Sequence, residues 1–236
     1  KDTETILKWI LSDKQIGTVL LNKYEHGGEV KYREYNRKVD SELLEIPSYL
    51  NYIFSNSKWI SIKNHGRIEP GKCLLVSNDK LLSTLHPCIT NEYLEEMSSH
   101  LACTVTELEA IFIAFNVKTS IADLDSDSFY DLLLKLPSKT NENRKLASKI
   151  ISHCIDKNRP FSHSPKQNEF FTNGLILARK KGKEDFFPVN EVRFSSSAVV
   201  NINNVPLLKT PPRNGNRELI KKIFNVQPFS EKYIID

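Results

Sequence analysis

The chain has 236 residues, of which 39% are hydrophobic and 26% charged, enough for one large domain or two small ones. Its 33 basic and 29 acidic residues leave a net charge of +4, well short of the dense, clustered basicity of a dedicated nucleic-acid-binding domain. The longest apolar runs, such as residues 111–115, fall far below the ~20 residues that cross a bilayer, so no membrane partner is expected.

Residues 3–12 place Ile6, Leu7, Ile10 and Leu11 at helical spacing, with Thr3 or Thr5 able to cap. Residues 18–37 alternate around His26-Gly27-Gly28, a hairpin signal, because glycine supplies positive φ without steric cost. A short helix is predicted over 46–54, after Pro47. A second hairpin is predicted from 59–62, a turn at 63–66, and 73–76. From Asn91 the pattern turns helical: Tyr93, Leu94 and Met97 form one stripe, and Leu108, Ile111, Phe112 and Phe115 another, with Thr104 placed to cap the second. A third helix runs over 128–136 and stops at Pro137. The polar stretch 138–144 reads as a linker without an apolar anchor. Residues 145–155 predict a fourth helix, 157–168 a loop, 175–178 and 186–194 strands, and 217–224 a last helix.

One pattern occurs twice. The stretches from Lys58 and from Asn173 each hold an apolar strand-like run, a Lys/Gly turn and a short run with Pro (Pro70, Pro188), then Ser seven residues later (Ser77, Ser195). Each continues through a Pro-containing loop, 85–89 or 205–212, to a helix-like stretch closing on Asn-Val at Val117 and Val226. Such repetition points to a modular scaffold. The expected class is α/β (α+β), with two related strand-hairpin/helix units joined by a helical spacer. The expected division is 1–122 for a lead-in helix and hairpin plus the first unit, 123–168 for the spacer, and 169–236 for the second unit.

No catalytic signature accompanies the pattern. Asp123, Asp125 and Asp127 resemble the opening of a calcium loop, but Ser128 and Leu134 stand where it needs Gly and a bidentate carboxylate, so they read as helix-capping acids. His86, Cys88, His100, Cys103, His153 and Cys154 lack the paired spacing of a zinc site, and no metal or cofactor is expected. Glu29-Val30-Lys31 mimics the acidic-x-Lys end of a nuclease strand, without an upstream Pro-Asp partner. Ser195-Ser196-Ser197 reads as turn chemistry. The four dispersed Cys read as reduced, cytoplasmic thiols.

The basic residues carry more. Lys180, Lys181 and Lys183 fall at a hairpin tip; Arg213 and Arg217 frame the start of a helix bearing Lys221 and Lys222, an expected grip on phosphate. Trp59, Phe112, Phe115, Phe186, Phe187 and Phe224 fall at interior positions and read as core.

Residues 49–75, then 121–137, then 186–197 and 205–226, resemble body segments of very large sacsin-like proteins. The resemblance covers roughly 46–226. It implies a parent chain with a GHKL-fold ATPase module followed by long repetitive regions, whose bacterial members are linked to defence against phage. This chain has no D-x-G-x-G, so the resemblance implies a body segment with the ATP-binding residues elsewhere. The chain opens on Lys1 without an initiator Met and is expected to be a piece of a longer polypeptide. The expected function is a non-catalytic scaffold or recognition segment of a large multidomain GHKL-type ATPase, contacting neighbouring modules. The alternative is a nucleic-acid-binding module of a restriction or defence system.

Overall fold

The computed structural model describes residues 2–12, 24–25, 45–46, 49–76, 79–138, 140–156, 163–194, 205–208 and 217–229. Its elements run α1 (Thr3–Ser12), β1 (Tyr24–Glu25), β2 (Glu45–Ile46), α2 (Tyr49–Ser55), β3 (Ile60–Ile62), β4 (Gly66–Ile68), β5 (Leu74–Val76), α3 (Lys80–Leu85), β6 (Cys88–Thr90), α4 (Asn91–Leu101) and α5 (Val105–Ala114). Then come α6 (Ser126–Lys135), α7 (Asn141–Asp156), α8 (Pro165–Asn173), β7 (Leu175–Lys180), β8 (Lys183–Pro188), β9 (Arg193–Phe194), β10 (Leu207–Leu208), α9 (Arg217–Phe224) and β11 (Gln227–Pro228). This is the mixed α/β class expected.

Packing divides the chain into one unit of Lys1–Cys73 with Asn91–Val117 and another of Leu74–Thr90 with Lys118–Asp236. That differs from the division at 122 and 168. The helices expected as a spacer share one core with the sheet that follows them: Phe129, Leu132, Ile150 and Ile151 belong to the same buried cluster as Ile176, Leu177 and Phe224.

In the first unit, α1 buries Ile6, Leu7 and Ile10, as its spacing requires. Thr3 is buried because its hydroxyl donates to the Trp59 carbonyl and accepts the Ser61 N–H, both at 2.8 Å, tying the helix start to β3. The Trp59 ring stacks on Phe112 (centroids 6.1 Å apart, 15° between planes) and meets Phe115 edge-on at 5.6 Å. Thr104 and Glu107 form the capping box that starts α5. The partner of β3 is β4, not 73–76 as expected. Pro70 begins a 3-10 turn through Lys72, closed by the Cys73 N–H on the Pro70 carbonyl at 2.9 Å, and the turn redirects the chain. The hairpin expected around His26-Gly27-Gly28 lies outside the described residues; Tyr24–Glu25 pairs with Glu45–Ile46.

The second unit holds two sheets. In one, β5 runs parallel to β6, and Leu74 also bridges in parallel to Lys118. The other has five strands in the order β11-β9-β10-β7-β8. There β9 runs parallel to both β10 and β11, while β10 is antiparallel to β7. The two parallel arrangements share details. Leu74 donates its N–H to the Pro87 carbonyl and Arg193 to the Pro206 carbonyl, each at 3.0 Å. In each, the last strand follows an Asn of positive φ, Asn116 (73°) or Asn225 (53°).

Three local outcomes differ from expectation. Residues 138–144 are no linker, because the Asn143 side chain is buried and donates to the Leu136 carbonyl at 2.7 Å, with Thr140 bonded to Asn143 as α7 begins. Within the loop expected at 157–168, Ser164 accepts the Gln167 N–H and Pro165 opens α8. Within the loop expected at 85–89, Cys88 and Ile89 already pair with β5.

Among the described residues β8 is an edge strand, yet it offers little to a further strand. Its two-residue turn makes Lys180 and Lys183 a mutually bonded pair, so the N–H groups of Glu184 and Phe186 face outward. The Phe186 N–H is taken by Asp185 Oδ1 at 2.9 Å, and Pro188 has none.

Candidate functional site

The structure gathers Lys180, Lys181 and Lys183 at the tip of the β7–β8 hairpin. Lys181 (φ 49°) and Gly182 (φ 76°) form the turn, and Lys180 stands directly across from Lys183. Like charges so placed repel. The adjacent cross-strand pair is instead complementary, Arg179 to Glu184 at 2.7 Å. None of the three lysines makes an ion pair with a described residue.

The other expected group is separate. Arg217 opens α9, Lys221 pairs with Glu218 at 2.7 Å and draws its carboxyl below the ordinary range, and Lys222 is exposed. Arg213 lies outside the described residues. The hairpin occupies one edge of the five-stranded sheet, while β11, which follows α9, occupies the other. Four strand spacings separate those edges, roughly 19 Å at ~4.8 Å each.

Beside the hairpin tip opens a cleft of about 540 Å³ lined by Asn141, Arg144, Lys145, Lys183, Glu184 and Asp185. Helix α7 supplies Arg144 and Lys145, and β8 supplies the rest of the charge. One guanidinium nitrogen of Arg144 lies 3.5 Å from Asp185 Oδ1, another 3.4 Å from Asn141 Oδ1, and its Nε is buried with no acceptor. Lys145 and Lys183 are exposed and make no ion pair with a described residue. Three cations around an opening in which both carboxylates already have partners can hold an anion. Sequence reasoning found Lys183 but missed Arg144 and Lys145, which lie in a stretch read as the end of a linker and the start of a helix.

The remaining candidates are structural. Asp125 accepts the Ser128 N–H at 2.9 Å as the N-cap of α6. Among the described residues no three His, Cys, Asp or Glu are placed to hold a metal ion. Cys73, Cys88 and Cys154 are buried free thiols, and that of Cys88 is pushed up to about 12, by burial first and by the Asp79 carboxylate second. The Ser120 hydroxyl lies 2.7 Å from His153 Nε2 but also caps the turn at 120–123 by accepting the Ala122 N–H. Trp59, Phe112, Phe115 and Phe224 are buried, and Phe186 and Phe187 pack half-buried against the core. Glu29, Lys31 and Ser195–Ser197 lie outside the described residues. No described helix is long and apolar enough to cross a membrane. In the first unit, Tyr49 (78% exposed) and Tyr52 (60%) project from α2, close in sequence to Phe54, which lines an apolar groove with Thr5, Ile6 and Trp9.

The Inhibitory regulator protein IRA1 of Saccharomyces cerevisiae (strain ATCC 204508 / S288c) is similar to part of the chain, 34% identical over 82 residues. That stretch spans 31% of this chain and 3% of the yeast protein. No protein-family model matches the chain. No solved structure matches it.

Proposed function

We propose that this chain is a non-catalytic scaffold and recognition segment of a large multidomain ATPase of the GHKL type, contacting neighbouring modules of its parent and serving bacterial defence against phage. The observation that carries the reading is a parallel pairing that recurs, β5 on β6 with a bridge from Leu74 to Lys118, and β9 on β10 and β11, each tied to a proline carbonyl at 3.0 Å. A repeated framework suits a body that positions other modules. The buried free thiols suit a reducing compartment such as the cytoplasm. The test is to purify the chain and the remainder of its parent separately and mix them. Co-elution, with ATP turnover confined to the remainder, supports the reading; ATP turnover by this chain alone overturns it.

A second reading is favoured by the hairpin tip, where three lysines project without acidic partners. In it the chain is a nucleic-acid-binding module, with Lys180, Lys181, Lys183, Arg213, Arg217, Lys221 and Lys222 on phosphates. Phosphate contacts make affinity fall with salt, with a log–log slope of about −0.9 per contact on duplex DNA. A titration against duplex and single strands from 50 to 200 mM salt distinguishes this reading from a scaffold without affinity for nucleic acid.

A further inference from the structure

We propose that the cleft between α7 and the β7–β8 hairpin is the seat of a backbone phosphodiester of nucleic acid, gripped by Arg144, Lys145 and Lys183. The proposal rests on the second reading above and gives it a site that includes two residues from outside the expected set. Three independent features point to an anion. The Arg144 guanidinium meets Asp185 at the long distance of 3.5 Å and keeps a buried Nε with no acceptor, so its fork still has a side to give. A phosphate oxygen pair can take that side in two parallel bonds once the guanidinium turns out into the opening. Lys145 and Lys183 reach the same opening from different elements. At the tip, Lys180 opposes Lys183 with Lys181 between them, a repulsion that an intervening anion relieves.

The acids sharpen the choice of ligand. Glu184 and Asp185 also line the cleft, Glu184 held by Arg179 at 2.7 Å and Asp185 by the Phe186 N–H at 2.9 Å. With Arg179, which holds Glu184 from beside the cleft, four cations stand against these two carboxylates. The carboxylates on the wall repel the double charge of a terminal phosphate more strongly than the single charge of a phosphodiester. Lys180 and Lys181 then stand beside the cleft, where the next phosphate of a strand would pass.

The test is fluorescence anisotropy with labelled 20-nucleotide single-stranded DNA and RNA and duplex DNA, from 50 to 200 mM salt. It uses the whole chain and its K145A/K183A, R144K and K221A/K222A variants, each checked for an unchanged circular-dichroism melt. The expected result is a loss of at least tenfold at 50 mM salt for K145A/K183A, with the slope on single strands reduced by about 1.4, two contacts at ~0.7 each. R144K keeps the charge but loses the fork, and a loss of threefold or more is expected. Binding by the parent chain that K145A/K183A leaves intact and K221A/K222A abolishes overturns this site while the nucleic-acid reading stands. No binding by the parent chain at 50 mM salt overturns both.

Discussion

The Gln167 side-chain amide donates to the Tyr130 hydroxyl at 3.1 Å, and both residues are sealed from water, at 1% and 2% exposure. The hydroxyl in turn donates to the Ile223 carbonyl at 3.0 Å, so one buried chain of bonds joins α8, α6 and α9. A buried polar group left without its partner costs about 1–3 kcal/mol. Tyr130→Phe should therefore destabilise the second unit by that amount, read as a shift of the urea midpoint without change of slope. In a double-mutant cycle with Gln167→Leu the two effects should fall short of adding, because the first substitution already strands the second group.

Gly174 links α8 to β7 at ordinary φ (−71°), so its role is room, not freedom of rotation. A Cβ there would lie 2.3 Å from the Phe170 carbonyl oxygen and 2.4 Å from its ring. Both neighbours belong to a buried residue that has nowhere to retreat. Gly174→Ala should cost 3 kcal/mol or more, roughly the upper end for overpacking, and a melt within 2 °C of the parent would contradict this contact.

The turn at the hairpin tip sets stability against charge. Lys181 adopts φ 49°, a conformation that side chains other than Asn and Gly resist. Lys181→Asn should raise stability by about 0.5–1 kcal/mol in thermal unfolding while weakening any affinity for polyanions. A stabilised variant with undiminished affinity would show that Lys181 serves neither purpose.

The buried Cys88 thiol makes stability depend on alkaline pH. Its ordinary value is 9.0, and in the folded chain it is pushed up to about 12. Between those values the unfolded chain loses a proton that the folded chain keeps. The contribution is fully present below pH ~9 and declines by about 1.4 kcal/mol per unit above it. Urea midpoints at pH 8, 9 and 10 should fall more steeply for the parent chain than for Cys88→Ala, whatever the offset between them.

Long elements were legible wherever one signal dominated. The apolar stripe of α1, the Thr104–Glu107 box and the Lys/Gly turn of β7–β8 each carry their own chemistry locally. The two-residue strands β9, β10 and β11 are too short to show a period of two, and only their neighbours in space define them. Helix α8 was hidden because Ser164-Pro165 reads equally as a turn and as a cap followed by a first-turn proline. The cleft was hidden for a further reason: Arg144 and Lys183 are far apart in sequence, and it is the shared core of α7 with β7 that brings them to one opening.

The outer side of β8 has a bearing on how such chains coexist. With the outward Phe186 N–H taken by Asp185 and none at Pro188, this border offers a strand from a second molecule fewer donors than a bare sheet margin does. Contact on this flank is left to charged side chains, whose attraction weakens as the salt rises.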